Sequence, residues 1–300
     1  MASLQNKIDF AVVFSVKRAN PNGDPLNGNR PRTDYDNFGE MTDVCNKRKI
    51  RDRLLEKWVV TGKIENDGNE IFVQSDDRKQ DAYTSLKARA EAGLGGKLGS
   101  SETIALACKK WFDVRAFGQL FALKAAKKTK KSNRQDGEDE SDGSDDSSVS
   151  IGIRGPVTVQ SAFSVEPIDV VSTQITKSVN GEDTKDGKKS SDTMGTKHRV
   201  ETAIYVFFGS MNPQLAEKTG FSDLDALAIK SVLPKLFEND ESSARPGGSM
   251  EVLKVVWWNH NCKAGKYSAA KVHRSLVTKP DGQIELSTLD GLDPEVVDGF

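Results

Sequence analysis

Residues 7–31, KIDFAVVFSVKRANPNGDPLNGNRP, join an apolar run to a long polar loop. In residues 7–17 the large apolar side chains recur with a period of two, which predicts a β-strand with one buried face. These side chains are Ile8, Phe10, Val12, Phe14 and Val16. Residues 20–31 then hold four Asn, three Pro and two Gly. Because hairpin loops usually take about two to five residues, this loop is expected to do more than reverse the chain.

The net charge of the chain hides an uneven distribution. The 300 residues have a formal net charge of −1, but residues 132–148 alone carry seven acids and one Arg, a net charge of −6. The rest of the chain therefore has a net charge of +5. A modestly basic body favours an anionic partner, and the length allows one large domain or two small ones.

The cysteines and the N-terminus indicate the compartment. Cys45, Cys108 and Cys262 are isolated, without a C-x-x-C spacing, so neither a zinc site nor a redox pair is indicated. The N-terminus lacks a basic segment before an apolar core, and no apolar run approaches the roughly 18 residues of a membrane helix. We expect a cytoplasmic protein with no membrane contact, no metal and no other cofactor.

Periodic apolar residues predict the order of helices and strands. Residues 41–60 predict a helix that Thr42 caps, with Asp43 in its first turn. Its apolar positions, at three-to-four spacing, are Val44, Ile50, Leu54, Leu55 and Trp58. Weaker helices joined by Gly-rich turns are predicted over 62–110. Strand character follows at 113–123, 150–179, 199–209 and 250–259, with the last range as the final sheet strand.

A second strong helix is predicted after Ser222, which caps it with Asp225 at the third helical position, and Pro234 should kink or divide it. Its inward side chains are predicted to be Leu224, Leu227, Val232, Leu236 and Phe237. The resulting order of strand, helix, strands, helix and strand is the β-α-β-β-α-β pattern of an α+β, ferredoxin-like fold with large insertions.

Two segments interrupt this pattern. Residues 127–148 contain no aromatic and no branched apolar residue, so they are predicted to be a disordered acidic insertion. The polar residues 180–195 separate two strands, which predicts a long hairpin that projects from the body.

The loop and the first helix together form a candidate anion site. Lys47 and Arg51 lie four residues apart and share a helix face, with Arg48 beside them, while Arg30 and Arg32 stand at the exit of the loop. Loop N–H groups and a helix N-terminus attract anions, so these residues could cradle a phosphodiester backbone. The alternative is a solvated helix face behind a tight turn. In that case Gly23 and Gly28 supply a positive φ, and Asn27 and Asn29 tolerate similar geometry.

Catalysis has less support in the sequence. Asp24 could bind a metal beside a phosphate, but it has no second acid at a supporting spacing and no nearby His. His198, His260 and His273 are scattered along the chain and are read as structural or phosphate-contacting residues. RAFGQLF (115–121) only faintly matches the aromatic signature of RNA-recognition domains, so its Phe117 and Phe121 are assigned to the core.

Several sequence blocks together resemble one family. NPNGDPLNGNRPRTD followed by TDVCNKRKIRD, and then DVRAFGQLF, IRGPVTVQSAFSVEPI, MGTKHRVETAIYVFFG and ARPGGSMEVLKVVWWN, are similar to blocks of the CRISPR-associated Cas7 family, in the family order. The nearest branch is the type I-C backbone subunit of the Cascade surveillance complex, within the RAMP superfamily. The resemblance covers nearly the whole chain, and the acidic segment at 127–148 departs from it.

The resemblance implies a fold and a function. It implies a single domain over 1–300 with an RRM-like palm, helical fingers within about 60–112 and a β-hairpin thumb within 166–199. Copies would stack into a helical filament along CRISPR RNA and present the guide for pairing with target DNA. The implied partners are a Cas-five-like cap and a large Cas-eight-like subunit, in a ribonucleoprotein without catalytic activity of its own.

The resemblance also implies RNA-binding residues. Within the palm and its loop they are Asn22, Arg30, Arg32, Thr42, Lys47, Arg48 and Arg51. Within the thumb they are Gln174, Ile175, Thr176, Lys177, Met194, Lys197 and His198, with Ile175 in the position of a wedge. Two alternatives stay open: a nuclease that cuts bound RNA with Asp24, and a monomeric single-stranded RNA-binding protein.

Overall fold

The computed structural model describes residues 2–62, 68–123, 149–177 and 193–300. The predicted acidic insertion at 127–148 lies outside the described residues, as does most of the predicted tip at 180–195. The strands are β1 Ile8–Ala19, β2 Gly23–Asp24, β3 Arg30–Thr33, β4 Phe38–Met41, β5 Gly118–Leu123, β6 Val149–Arg154, β7 Val157–Val159, β8 Ala162–Pro167, β9 Val170–Lys177, β10 Thr193–Met211, β11 Met250–Asn259, β12 Leu276–Thr278, β13 Ile284–Leu286 and β14 Pro294–Asp298. The α-helices are α1 Asp43–Thr61, α2 Leu86–Gly93, α3 Thr103–Lys110, α4 Phe112–Phe117, α5 Pro213–Thr219, α6 Asp223–Val232 and α7 Ala269–Arg274.

One large antiparallel sheet organises the chain. Its strand order is β14-β11-β1-β10-β8-β4-β3-β2, and β7 and β9 also pair with β10. Strand β1 lies between β10 and β11 and is antiparallel to both, with Ile8 opposite Met211 on one side and opposite Asn259 on the other. The chain is thus a mixed helix-and-sheet protein, as its periodicity predicts.

Both faces of β1 are buried. The predicted face, with Phe10, Phe14 and their neighbours, packs under α1 and α6 in the main core. The opposite face of β1 carries Ala11 and Val13, which are also fully buried, against the C-terminal segment that contains α7. The prediction of a half-buried strand was therefore wrong. The pattern of large residues did not reveal the second layer, because Ala and Val alternate with them.

The helix boundaries follow their predicted signals. The Thr42 hydroxyl accepts a hydrogen bond from the Cys45 N–H (3.3 Å), and Ser222 forms a reciprocal capping box with Asp225. Helix α6 ends at Val232, and a short 3₁₀ helix, Leu233–Lys235, contains Pro234, so the predicted break is confirmed. No helix within the described ranges is long and apolar enough to cross a membrane.

Two apolar positions of α6 were assigned to the wrong face. Leu224 and Leu227 are exposed by 63% and 54%. Helix α6 instead buries Ala226, Ile229 and Val232. The capping box fixes where this helix begins, and its rotation then points the two leucines to solvent.

The residues between α1 and β7 form a second, smaller core. Phe72, Trp111 and Phe121 pack together there with the apolar sides of α2 and α3. The helices predicted over 62–110 are confirmed as α2 and α3, whereas the predicted strand at 113–123 begins as helix α4 and becomes β5 only at Gly118. Gly118 has φ +83° at this change of direction, a conformation that favours glycine.

The sheet continues beyond the predicted final strand. Strand β11 has the predicted bounds, but β14 pairs with its outer edge, with Val255 opposite Val297. Between them, α7 and the β12–β13 hairpin cover the second face of the sheet. Their short apolar runs carry no strong periodic signal, which is why the sequence did not predict them.

A buried polar cluster fastens this C-terminal layer to β1. Asp9 is fully buried and accepts hydrogen bonds from Ser210 and from His260 (Nε2–Oδ2, 2.8 Å), while His273 Nε2 lies 3.5 Å from its other oxygen. Thus two of the histidines that the sequence presented as scattered meet at one carboxylate. Burial raises the pKa of Asp9, but hydrogen bonds from His260, His273 and Ser210 outweigh it and hold that pKa well below the usual range.

Replacing Asp9 by Asn should therefore lower the free energy of unfolding at neutral pH by about 3 kcal/mol, because a buried charged network loses its centre. A lowered folded-state pKa contributes stability above the unfolded pKa of about 3.9, and this contribution is lost as the pH falls below that value. The gap between wild type and Asp9→Asn should shrink in acid. Urea unfolding between pH 7 and pH 3 measures it. The control is Asp293→Asn, a substitution of an exposed residue. An equal loss of unfolding free energy in both variants would contradict the role of Asp9.

Candidate nucleic-acid interface

The opening loop is folded tightly on itself. The Asn20 side-chain amide donates to the Asn29 carbonyl (2.7 Å), and the Asn29 N–H donates to the Asp24 carbonyl (2.8 Å). A Cβ atom on Gly23 would lie 2.0 Å from Asn29 Oδ1, so this glycine permits a close approach. Its predicted positive φ was wrong, whereas Gly28 (57°) and Asn29 (59°) do adopt the left-handed conformation. Asn27 lies in a short 3₁₀ helix instead.

Two predicted residues join this loop to helix α1. Asn22 Oδ1 accepts hydrogen bonds from both the N–H and the hydroxyl of Thr42, each at 3.0 Å. The same hydroxyl caps the helix. Asn22 and Thr42 therefore hold the loop against the helix N-terminus, where N–H groups favour an anion.

Asp24 has a structural explanation. Its side chain accepts from the Leu26 N–H (3.2 Å) and lies 3.3 Å from Arg32 Nη2. The pair Asp24–Arg32 is partly exposed, and each charge offsets the other. The described parts of the chain contain no cluster of three His, Cys, Asp or Glu residues that could hold a metal ion.

The predicted cations of α1 fall into two environments. Lys47 pairs with Asp43 (2.9 Å), and the side chain of Arg48 is 46% exposed, so both reach solvent. Arg51 is only 11% exposed and pairs at 2.9 Å with Asp113, which is 1% exposed. The same Asp113 carboxylate accepts from two backbone N–H groups at the start of the smaller core. Arg51 thus fastens that core to α1, which leaves Lys47 and Arg48 as the cations of this helix face.

A further cation of α1, Lys49, is buried, and the sequence did not single it out as a site residue. Its side chain is 2% exposed and pairs with Asp240, which also accepts from Arg245 (2.9 Å). Burial lowers the pKa of Lys49, and the charge of Asp240 opposes this effect. Lys49 shares a helix face with the buried Asn46 and Arg53, which are also polar, so the sequence carried no signal for its burial. The segment around Asp240 is thereby tied to α1.

The predicted thumb is an antiparallel hairpin of β9 and the outer half of β10. The register pairs Ser172 with His198 and Ile175 with Gly195, and ends at Val170 opposite Val200. Since side chains alternate between faces, the predicted residues divide into two sets. One face carries Gln174, Thr176, Met194 and His198, and the other carries Ile175 and Lys197. Lys177 pairs with Thr193, and its side chain lies outside the described residues.

The hairpin meets the opening loop on its first face. Arg30 Nη2 donates to the Ser172 hydroxyl (3.1 Å), which is 2.8 Å from His198 Nδ1. On the second face, Lys197 donates to the Ser243 carbonyl (3.0 Å). The structure thus brings the predicted Arg30 and His198 together through Ser172, and it ties the predicted Lys197 to the segment before β11; the sequence singled out neither serine.

This surface offers cations, hydrogen-bond donors and exposed apolar side chains at the hairpin. Lys47 can exchange Asp43, and Arg48 can exchange Asp77, for phosphate oxygens, while Arg30 has N–H donors besides the one that it gives to Ser172. Ile175 and Met194 are 44% and 66% exposed, so they can contact bases or a partner surface. The arrangement is suited to holding a polyanion.

Comparisons with known proteins place the chain in a family. The family model described as CRISPR-associated protein Cas7 matches residues 6–291. A Haloferax volcanii protein named CRISPR-associated protein Cas7 is 26% identical over 259 residues, which are 83% of this chain and 69% of that protein. The chain therefore belongs to the Cas7 family.

Solved structures show weaker similarity. A chain of a CRISPR RNA-guided surveillance complex in a pre-nicking state matches with a TM-score of 0.43 and 12% identity, covering 84% of this chain and 78% of that chain. A chain of a type III-B Cmr-beta complex bound to cognate target RNA matches with a TM-score of 0.39 and 12% identity, over 83% and 60% of the two chains.

Removing the side chain of Asn22 tests the junction of loop and helix. Asn22→Ala should lower the free energy of unfolding by about 1 kcal/mol, because two donors of Thr42 lose their acceptor. It should also speed hydrogen exchange of the amides in residues 22–33. Asn27→Ala is the matched control, since the exposed Asn27 side chain has no partner among the described residues. Equal effects of both changes would refute the junction.

Proposed function

We propose that the protein is a non-catalytic backbone subunit that binds CRISPR RNA through its phosphates. The observation that carries this proposal is the junction of the loop, the N-terminus of α1 and the hairpin, with Lys47, Arg48 and Arg30 at the surface. The partial charges of the helix N-terminus and these cations all favour phosphate groups. Membership of the Cas7 family supports the same ligand.

Sequence reading would be left to base pairing. Contacts to phosphates do not depend on base identity, so one subunit can hold any guide. The protein would position the backbone and leave the base edges available to target DNA. No covalent step is required of the protein, so no cofactor enters this proposal.

We further propose the type I-C Cascade complex as its assembly, with copies stacked as a filament. The fold we propose is a ferredoxin-like palm with helical fingers and a thumb. The strand order β11-β1-β10-β8, with helices α1 and α6 over one face, supports this description. The cap and large subunits of such a complex would be its partners, in the cytoplasm. Membership of the Cas7 family supports an assembly of this kind.

Two substitutions on α1 separate binding from folding. Lys47→Ala should weaken guide RNA binding and reduce the slope of log affinity against log salt by about 0.7, since one phosphate contact is lost. Its thermal unfolding should be unchanged. Arg51→Ala should instead destabilise the protein by about 3 kcal/mol, because the buried Asp113 carboxylate loses its counter-charge.

Salt titrations by fluorescence anisotropy and thermal unfolding provide both readouts. Lys57→Ala is the control, because Lys57 lies at the other end of the same helix and bonds Ser231. If Lys47→Ala and Lys57→Ala give the same affinity and slope as wild type, the phosphate grip on α1 is wrong.

Cleavage is the main competing function. The assembled complex should not cut complementary RNA when Mg²⁺ is supplied, because Asp24 is engaged by Leu26 and Arg32. Gel analysis of end-labelled RNA tests this expectation. Cuts at regular intervals that Asp24→Ala abolishes would establish a nuclease in place of a passive backbone.

A monomeric RNA-binding protein is the other competitor. The bound mass should rise in steps as the guide RNA is lengthened, because each added segment gives room for one more copy. Mass photometry on a series of guide lengths measures these steps. A single bound copy at every length would rule out the filament.

A further inference from the structure

The hairpin leaves the sheet as a ribbon of two strands. From Val200 inward, β10 is paired with β1, whereas residues 193–199 pair only with β9. A two-stranded ribbon is weakly stable and bends easily when no third strand or packed layer supports it. Its direction relative to the palm must therefore depend on side chains near the point where it leaves the sheet.

Two side-chain contacts lie at that point, one on each face. Ser172 on the first face bonds Arg30 of the opening loop and His198 of the opposite arm. Lys197 on the second face bonds the Ser243 carbonyl. Since His198 and Lys197 are adjacent, the two contacts hold the same level of the ribbon from opposite sides.

Both contacts lead back to helix α1. The loop that carries Arg30 is joined to the helix N-terminus by the bonds between Asn22 and Thr42. The segment that carries Ser243 is tied to the same helix through the buried pair Lys49–Asp240. The helix face with Lys47 and the base of the hairpin are therefore connected along two separate routes.

We infer that Ser172 and Lys197 are positioning residues that fix the hairpin relative to the phosphate-binding helix. Ser172 has no charge to offer a phosphate, and Lys197 lies on the hairpin face opposite Ser172, where it bonds the Ser243 carbonyl. The consequence for guide presentation rests on the proposed function: the spacing between RNA held at α1 and bases met by the hairpin is set by these two contacts. The contacts themselves belong to the free protein.

Hydrogen exchange of the free protein tests the contacts without RNA. Ser172→Ala should speed exchange of the amides in residues 170–176 and 193–199 several-fold, and Ser172→Thr, which keeps the hydroxyl, should restore protection. Thr173→Ala is the matched control on the other face of the same strand, where the described residues give its side chain no partner. Arg30→Ala should act like Ser172→Ala, and the double variant should add nothing. Exchange in Ser172→Ala equal to wild type would overturn the inference.

Salt titration of guide RNA binding separates positioning from direct contact. Lys197→Met should leave the salt slope unchanged, while Lys47→Ala reduces it by about 0.7. A ribonuclease footprint of the bound guide should lose its regular spacing in Ser172→Ala, with total affinity changed less than about twofold. A reduced slope in Lys197→Met would make Lys197 a phosphate contact and overturn its assignment. If Lys47→Ala alone leaves the salt slope unchanged, that result counts against the proposed function, while the hydrogen-exchange test of Ser172 stands.

Discussion

Strand β1 is hydrogen-bonded on both edges and covered on both faces, and the arrangement of the binding surface depends on this. Its register with β10 runs from Ile8–Met211 to Ala19–Val200. At the second of these pairs the chain leaves β1 into the opening loop, while β10 continues outward to pair with β9. The loop and the hairpin therefore meet at one end of the sheet. This proximity follows from the sheet register, and the loop residues then fix its details.

Charge is used mainly for folding and only partly for binding. Lys49 and Arg51 are buried in ion pairs that join segments distant in sequence. The partly exposed Lys47 keeps its own partner, Asp43, which RNA must displace. An ion pair near the surface is worth roughly 1 kcal/mol or less. Replacing Asp43 by a phosphate at Lys47 therefore costs little free energy and also contributes little affinity. Affinity for a long guide would therefore come from many copies that each contribute weakly.

Local signals predicted much of the fold. The caps Thr42 and Ser222 and the break at Pro234 have short-range causes, and the structure has all three. Helix rotation and layer stacking depend on tertiary contacts. For that reason the sequence placed Leu224 and Leu227 inward and gave β1 a solvated face.

In the candidate site, too, local signals were predicted and tertiary contacts were not. Sequence blocks identified the loop, the helix and the hairpin, and those three elements do meet. Which cations of α1 reach the surface could not be predicted, because Asp113 and Asp240 approach this helix from positions more than sixty residues away. Ser172 and Ser243, which bond hairpin residues, belong to no motif. The strand register places Ser172 opposite His198, and Ser243 reaches Lys197 from a turn before β11.

The most direct test of the backbone grip is a salt titration with two guide RNAs of equal length and unrelated sequence. If the protein holds phosphates and leaves the bases free, both guides should bind with the same affinity at every salt concentration and with the same steep slope of log affinity against log salt. Affinities that differ tenfold between the two guides, or that do not depend on salt, would contradict this function.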